Sequence, residues 1–391
     1  MKVFYNADIF QVEKGFTRGW LGVSGDRISC MGQGKPPEGT QNSEAPNGLP
    51  VDLRGHRVLP GLIDIHTHGN SGHDFSDGKV EGLHKMGKYL ASHGITSFAP
   101  TSMTLPYEKL DTAFRTAAEY RDTRAADEAR AAGIHMEGPY FSEKKKGAQN
   151  SDYLKLPDIE GFFDLQEGCG HLIRIVDIAP ELESSIDFIK AVVSGGCLVS
   201  VAHTDALYGD AIRAFDAGAS HVTHLFNAMR PIHHREPGII GAACEKENVT
   251  VELICDGLHV HPSVIRMAFR LFPGRVCLIS DALRCCGMPD GMYELGGQQV
   301  RLENGQARLL DGTIAGAASN LFDDMVNAIH FGIPAEEAIR AATIIPAGEI
   351  GADSYTGSLE EGKMADFIVC DKEWNLKQVY LGGTKIRPEE G

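Results

Sequence analysis

Residues 62–68 read Leu62-Ile63-Asp64-Ile65-His66-Thr67-His68, a largely apolar run that closes on two histidines one residue apart. On a strand, residues i and i+2 share a face, so both imidazoles can turn toward one point. The same construction recurs down the chain. Gly133–Glu137, Leu198–His203, His221–Leu225 and Val276–Asp281 are short apolar runs that carry Glu137, His203, His224 and Asp281 at or near their ends. Ser97–Ala99, Ile173–Ile178 and Val249–Cys255 complete a set of eight. Helical patterns fill several of the gaps, over Val80–His93, Leu110–Ala132, Ile186–Ser194 and Asp210–Ala217. Continuous apolar runs are what parallel strands buried on both faces look like, so the reading is α/β, a (β/α)8 barrel of the TIM type. An open doubly wound sheet would need a phosphate-binding glycine fingerprint after its first strand, and none follows.

The flanks read differently. Lys2–Phe4, Trp20–Val23, Arg27–Cys30 and Arg57–Leu59 are short strands broken by Gly and Pro, with a surface loop over Gly32–Pro50. Asp366–Cys370 and Lys377–Leu381 repeat that texture, with a turn over Leu381–Thr384. The expectation is a small β-sandwich built from both termini: residues 1–56 and 349–391 around a barrel of residues 57–348. The length of 391 residues agrees, because one hydrophobic core stops growing well below it.

Composition narrows the function. Lys plus Arg is 37 against Asp plus Glu 53, a formal charge of −16. Such a surface repels nucleic acid and anionic membranes, and an anionic substrate would need local compensation. Nine cysteines without regular spacing read as reduced thiols of a cytoplasmic protein, and neither a signal peptide nor an apolar run long enough to span a membrane is visible.

In a barrel, catalytic groups sit at the C-terminal ends of the strands. Here those ends carry His66, His68, Glu137, His203, His224 and Asp281, a donor set suited to Zn²⁺ and related divalent ions. Glu137 can bridge two ions or stand solvated at a turn. Asp281 can be a ligand, a helix cap or a general base. The base role is favoured, because a carboxylate beside a metal-activated water can take its proton and pass it to a leaving amine.

Leu59-Pro60-Gly61-Leu62-Ile63-Asp64-Ile65-His66-Thr67-His68-Gly69 resembles the opening of the amidohydrolase superfamily, and Gly357–Phe367 resembles its ending. Met136–Tyr140, Thr223–Met229 with Arg235–Gly238, Asp256–His259 and Gly312–Gly316 resemble, within that superfamily, the N-acetylglucosamine-6-phosphate deacetylase family. The resemblance implies hydrolysis of the acetamide of an amino-sugar 6-phosphate, with release of acetate. It places one divalent ion on Glu137, His203 and His224, and makes Asp281 the acid/base. Gln149, Asn227, Ala228, Arg235, His259 and Ala315 contact the substrate, with Arg235 on the phosphate. His259 reaches the site of a neighbouring subunit, which implies a homodimer. His66 and His68 allow a second ion. Zinc leads, with Fe, Mn, Co or Ni as alternatives. Gln149 stands where many members carry a histidine that polarises the carbonyl, so that role falls to an uncharged amide.

The other histidines read as bland. His73 is a solvated loop residue, while His84, His93 and His330 lie in helical patterns. His233 and His234 flank Arg235, and His261 caps a helix beginning at Pro262. Lys144–Lys146 read as a solvated face. Two rival functions stay open: deacetylation of the 4-epimer, N-acetylgalactosamine 6-phosphate, and a non-catalytic protein on the same scaffold.

Overall fold

The structure is a computed structural model and describes residues 1–37 and 49–387, so residues 38–48 of the Gly32–Pro50 loop lie outside the described residues. Eight parallel strands form the barrel: β1 (Leu62–Thr67), β2 (Ile95–Ser102), β3 (Ile134–Met136), β4 (Ile173–Ile178), β5 (Leu198–Val201), β6 (His221–Val222), β7 (Thr250–Ile254) and β8 (Val276–Ile279). Each pairs with the next in chain order. The cylinder closes where Thr67 bridges Ala282 and the Asp281 amide donates to the His66 carbonyl at 2.9 Å. Every strand is followed by a helix: α1 (Val80–Ser92), α2 (Tyr107–Thr123), α3 (Ile159–Gly168), α4 (Ser185–Ser194), α5 (Tyr208–Asp216), α6 (Gly238–Glu245), α7 (Pro262–Leu271) and α8 (Leu321–His330). Side-chain caps start several of them. Asp158 accepts from the Gly161 amide at α3, and Asn320 from the Asp323 amide at α8, filling donors a helix start leaves unpaired.

The expected helix Leu110–Ala132 is shorter in the structure. α2 stops at Thr123, because Arg124 leaves helical space at φ −52°, ψ 130° and Arg130–Ala131 pair parallel to Ser97–Phe98 of β2. The alanines at 125, 126, 129, 131 and 132 carry high helix propensity, and strand pairing overrides it.

A four-strand antiparallel meander over Gly291–Leu295, Gln298–Glu303, Gln306–Leu309 and Ile314–Ala317 follows β8. The sequence reading passed over it. Gly296-Gly297 and Asn304-Gly305 turn two of its hairpins with positive φ, the backbone that two-residue hairpin turns require.

The chain ends build one eight-strand sheet. Its order runs Thr384–Arg387, Leu376–Leu381, Phe367–Cys370, Arg57–Pro60, Lys2–Gln11, Gly15–Ser24, Arg27–Gln33, with Val51–Asp52 also paired to Lys2–Gln11. Two strands separate Phe4 from Tyr380, a span of about 14 Å along a flat sheet. Their ring centroids are nonetheless 5.0 Å apart, so the sheet folds over on itself. Its far edge then meets the chain near Phe367, where Arg27 bridges Met364. The enclosed core holds Phe4, Leu21, Ile28, Val58, Phe367 and Tyr380. The Gly61 amide donates to the Asp366 carbonyl at 3.0 Å, joining this sheet to the strand that carries His66 and His68.

Candidate metal centre

The strand ends bring six side chains to one point. The Glu137 Oε1 lies 3.0 Å from His203 Nε2 and 3.2 Å from His224 Nε2, and the two ring nitrogens are 3.1 Å apart. Beside them, Asp281 Oδ1 is 3.2 Å from His68 Nε2 and 3.6 Å from His66 Nε2. Glu137 joins the two groups, with Oε2 3.4 Å from His68 Nε2 and Oε1 3.7 Å from His66 Nε2. All six residues are buried.

Backbone strain holds the arrangement. His203, His224 and Asp281 have φ of 43°, 29° and 50°, a region residues with a Cβ avoid and that clusters at functional sites. Local hydrogen bonds fix each one. The Ser142 amide donates to the His203 carbonyl, His203 Nδ1 lies 3.0 Å from the Lys145 carbonyl, and the His224 amide donates to Glu252 Oε2 at 3.1 Å. The meander secures Asp281, whose carbonyl accepts from the Ala317 amide at 2.8 Å.

The electrostatics follow from packing acids against imidazoles. Burial would push the Glu137 carboxyl up, but the hydrogen bonds of His203 and His224 hold it well below the usual range. Burial would likewise raise Asp281, and His68 holds it low. For His68 and His224 burial works downward. Asp281 beside the first and Glu137 beside the second outweigh it, so both imidazoles rise to about 9.

These residues fit a divalent ion. A tetrahedral site with bonds of about 2.0–2.1 Å has donor–donor edges of about 3.3–3.4 Å, close to the separations within the Glu137, His203 and His224 group. His66 Nε2 is fully buried and has no hydrogen-bond partner, although it faces Glu137 and Asp281. A cation held by these residues would satisfy that lone pair.

A cavity of about 280 Å³ opens above the cluster, lined in part by Gln149, Asn227, Ala228, His259 and Ala315. Gln149 donates from Nε2 to Glu137 Oε2 at 2.6 Å while its Oε1 accepts from the Thr104 amide at 2.8 Å. His259 was expected to serve a neighbouring subunit. It lines a cavity of its own chain, where Asp256 Oδ2 lies 2.6 Å from its Nδ1. Arg235, expected on the phosphate, stands exposed on the rim loop with Nη1 2.7 Å from His234 Nε2, and does not line that cavity. His233 and His234 are exposed beside it. His261 accepts from the Ser263 amide and caps α7. His84 pairs with Glu128 at 2.8 Å, away from the centre. The lysine run contributes its backbone through the Lys145 carbonyl. All nine cysteines are free thiols.

Beneath the six lies a layer that the sequence reading missed. Glu252, His135, His221 and Asp177 are buried inside the barrel, linked by His135 Nε2 to Asp177 at 2.9 Å and His66 Nδ1 to Glu252 at 2.9 Å. The signal was present. Glu252 interrupts Thr250-Val251-Leu253-Ile254, and Asp177 interrupts Ile175-Val176-Ile178. A charge within a doubly buried strand must face the barrel interior and find partners there.

Parallel barrel, strand-end imidazoles and bridging carboxylate together define the divalent-metal-dependent hydrolases of the amidohydrolase class. The model of the Amidohydrolase family matches residues 57–386, and the chain belongs to that family. It is 35% identical over 351 residues to N-acetylglucosamine-6-phosphate deacetylase of Vibrio furnissii, covering 89% of this chain and 86% of the relative. It is 34% identical over 327 residues to N-acetylgalactosamine-6-phosphate deacetylase of Escherichia coli O157:H7, covering 83% and 86%. The crystal structure of N-acetyl-D-glucosamine-6-phosphate deacetylase from Mycobacterium smegmatis superposes with a TM-score of 0.90 at 31% identity, covering 99% of this chain and 100% of that one. Among the described residues, no helix is long and apolar enough to cross a membrane.

Proposed function

We propose that this protein is an N-acetylglucosamine-6-phosphate deacetylase, which hydrolyses the acetamide to glucosamine 6-phosphate and acetate. The observation that carries the reading is the cluster of Glu137, His203 and His224 beside Asp281 on the floor of a cavity whose walls offer Asn227, Ala228 and His259. The Vibrio furnissii relative and the Mycobacterium smegmatis structure carry that name and match 89% and 99% of the chain.

Glu137, His203 and His224 would hold one divalent ion, with zinc favoured by the imidazole and carboxylate donors. His66, His68 and Asp281 offer a second position, and the other first-row metals remain alternatives to zinc. A bound ion supplies Lewis-acid polarisation and lowers the pKa of water. Asp281 accepts the proton of the attacking water and delivers it to the amine nitrogen as the C–N bond breaks. Gln149, oriented by Thr104 and Glu137, offers its remaining amide hydrogen toward the acetyl oxygen. Asn227, the backbone of Ala228, Ala315 and His259 position the sugar phosphate.

Arg235 supplies cationic charge to the phosphate from the rim. His259 would reach the site of a neighbouring copy in a homodimer, and the exposed Leu258, Met267 and Leu271 provide apolar surface for such contact. We place the protein in the cytoplasm, where its nine thiols stay reduced.

The galactosamine epimer is the second reading, favoured by the similarity to the Escherichia coli relative. Acetate release from the two epimeric 6-phosphates, measured side by side on one metal-analysed preparation, tests both. A higher kcat/KM on the gluco epimer supports the first reading, preference for the galacto epimer supports the second, and no turnover with metal bound refutes both.

A further inference from the structure

We propose that Glu252 is the positioning residue of the metal centre, and that one of its oxygens orients a ligand of each ion position. The inference rests on the metal-centre reading and deepens it.

Glu252 stands in the middle of β7, fully buried inside the barrel. Its Oε2 meets His66 Nδ1 at 2.9 Å and accepts the His224 backbone amide at 3.1 Å. The first contact settles a tautomer. With its Nδ1 hydrogen committed to Glu252, His66 presents a lone pair at Nε2, the buried atom that has no other partner. The second contact settles a backbone. His224 sits at φ 29°, and its amide is held in that strained turn by the same oxygen. His66 belongs to the group with His68 and Asp281, and His224 to the group with Glu137 and His203. A single carboxylate oxygen therefore couples the two positions.

The other oxygen anchors Glu252 from below. Oε1 lies 3.3 Å from His221 Nε2, and His221 Nδ1 lies 2.7 Å from Glu349 Oε2. Glu349 ends the helix Ile344–Glu349 and also accepts from Thr250 Oγ1 at 2.9 Å. Glu252 thus has a buried imidazole on each side, His66 hydrogen-bonded to Oε2 and His221 within ion-pair distance of Oε1. A buried carboxylate is costly where an apolar residue would pack the strand. Its retention here is explained by what it orients.

The test uses the full-length protein with Zn²⁺ alone as the probe. Stepwise Zn²⁺ affinities are read by competition with a chromophoric chelator, alongside elemental analysis, melting temperature, kcat and KM. Glu252→Leu removes both acceptors, and the expected loss is about 10–100-fold in Zn²⁺ affinity at both steps. Glu252→Gln can keep its carbonyl oxygen at the Oε2 position, so it recovers most of that loss. Glu252→Asp retracts the carboxylate by one methylene and behaves like Leu. In all three, KM stays near wild type and kcat recovers with excess Zn²⁺. A folded Leu or Asp variant with wild-type affinities at both steps overturns the proposal, and so does a Gln variant as impaired as Leu. A merely structural role would lower the melting temperature and leave affinity intact. Wild-type protein that binds no Zn²⁺ would sink the metal-centre reading before any substitution is made, and this inference with it.

Discussion

Ion binding at this centre must expel protons, and the structure sets how many and over which pH range. Without an ion, His68 and His224 are held at about 9 by Asp281 and Glu137 against the downward pull of burial. Each is therefore an imidazolium at neutral pH. A metal accepts only the neutral ring, so each position must release one proton on binding. The sign follows: below about pH 9 the protonated form competes with the ion, and the competition fades as pH rises through that value. Zn²⁺ affinity at each position should rise about tenfold per pH unit up to pH 9 and then level off. From pH 7 to pH 9 the gain is about 100-fold per position, or roughly 2.7 kcal/mol. Glu137 and Asp281 are both held low and ionised throughout this range, so they add no further slope. Chelator-competition titrations at pH 6.5, 7.5, 8.5 and 9.5 measure the slope, and a pH-stat counts the protons released in weak buffer. Affinities that are flat between pH 7 and 9, with no proton released, would refute the reasoning.

Asp281→Asn should lower kcat by about 10²–10⁴-fold while the first Zn²⁺ stays bound; a near-wild-type rate would remove Asp281 from proton transfer. Arg235→Ala should weaken the phosphorylated substrate by roughly 10–100-fold, the worth of about 1.5–3 kcal/mol for a charged hydrogen bond. KM on the unphosphorylated sugar should stay put, and equal losses on both would take Arg235 off the phosphate. His66→Gln should reduce bound metal from two ions to one per chain by elemental analysis, and an unchanged count would show that His66 holds none. In the terminal sheet, Phe4→Ala empties a site packed against Phe367 and Tyr380 and should cost about 3–5 kcal/mol in denaturant unfolding.

The barrel was legible because its eight strands are apolar on both faces and end in polar residues. Their order could be read even where helix ends could not, as at Thr123. The six rim residues were legible for the same reason, since each follows its apolar run directly. Glu252, His135 and Asp177 were not. They lie within the runs, and a single sequence does not show which interior face a strand residue meets or which other strand supplies its partner. The meander was passed over because its strands alternate exposed and buried positions without a long apolar stretch, although both hairpin turns are spelled out. The placements of His259 on the cavity wall and Arg235 on the rim depend on loop paths, and loops carry no periodicity to read.

The terminal sheet has a temporal consequence. Arg57–Pro60 pairs antiparallel with Phe367–Cys370, so the segment leading into His66 finishes its hydrogen bonding with residues some three hundred positions later. During synthesis, the first strands leave the ribosome with one flank bare and stay so until Phe367–Cys370 has been made. Contacts so distant along the chain form slowly, and bare strand edges invite association between nascent copies. A chain released early, short of Phe367, would hold all six side chains of the candidate metal centre yet lack the clasp that seats the first two of them.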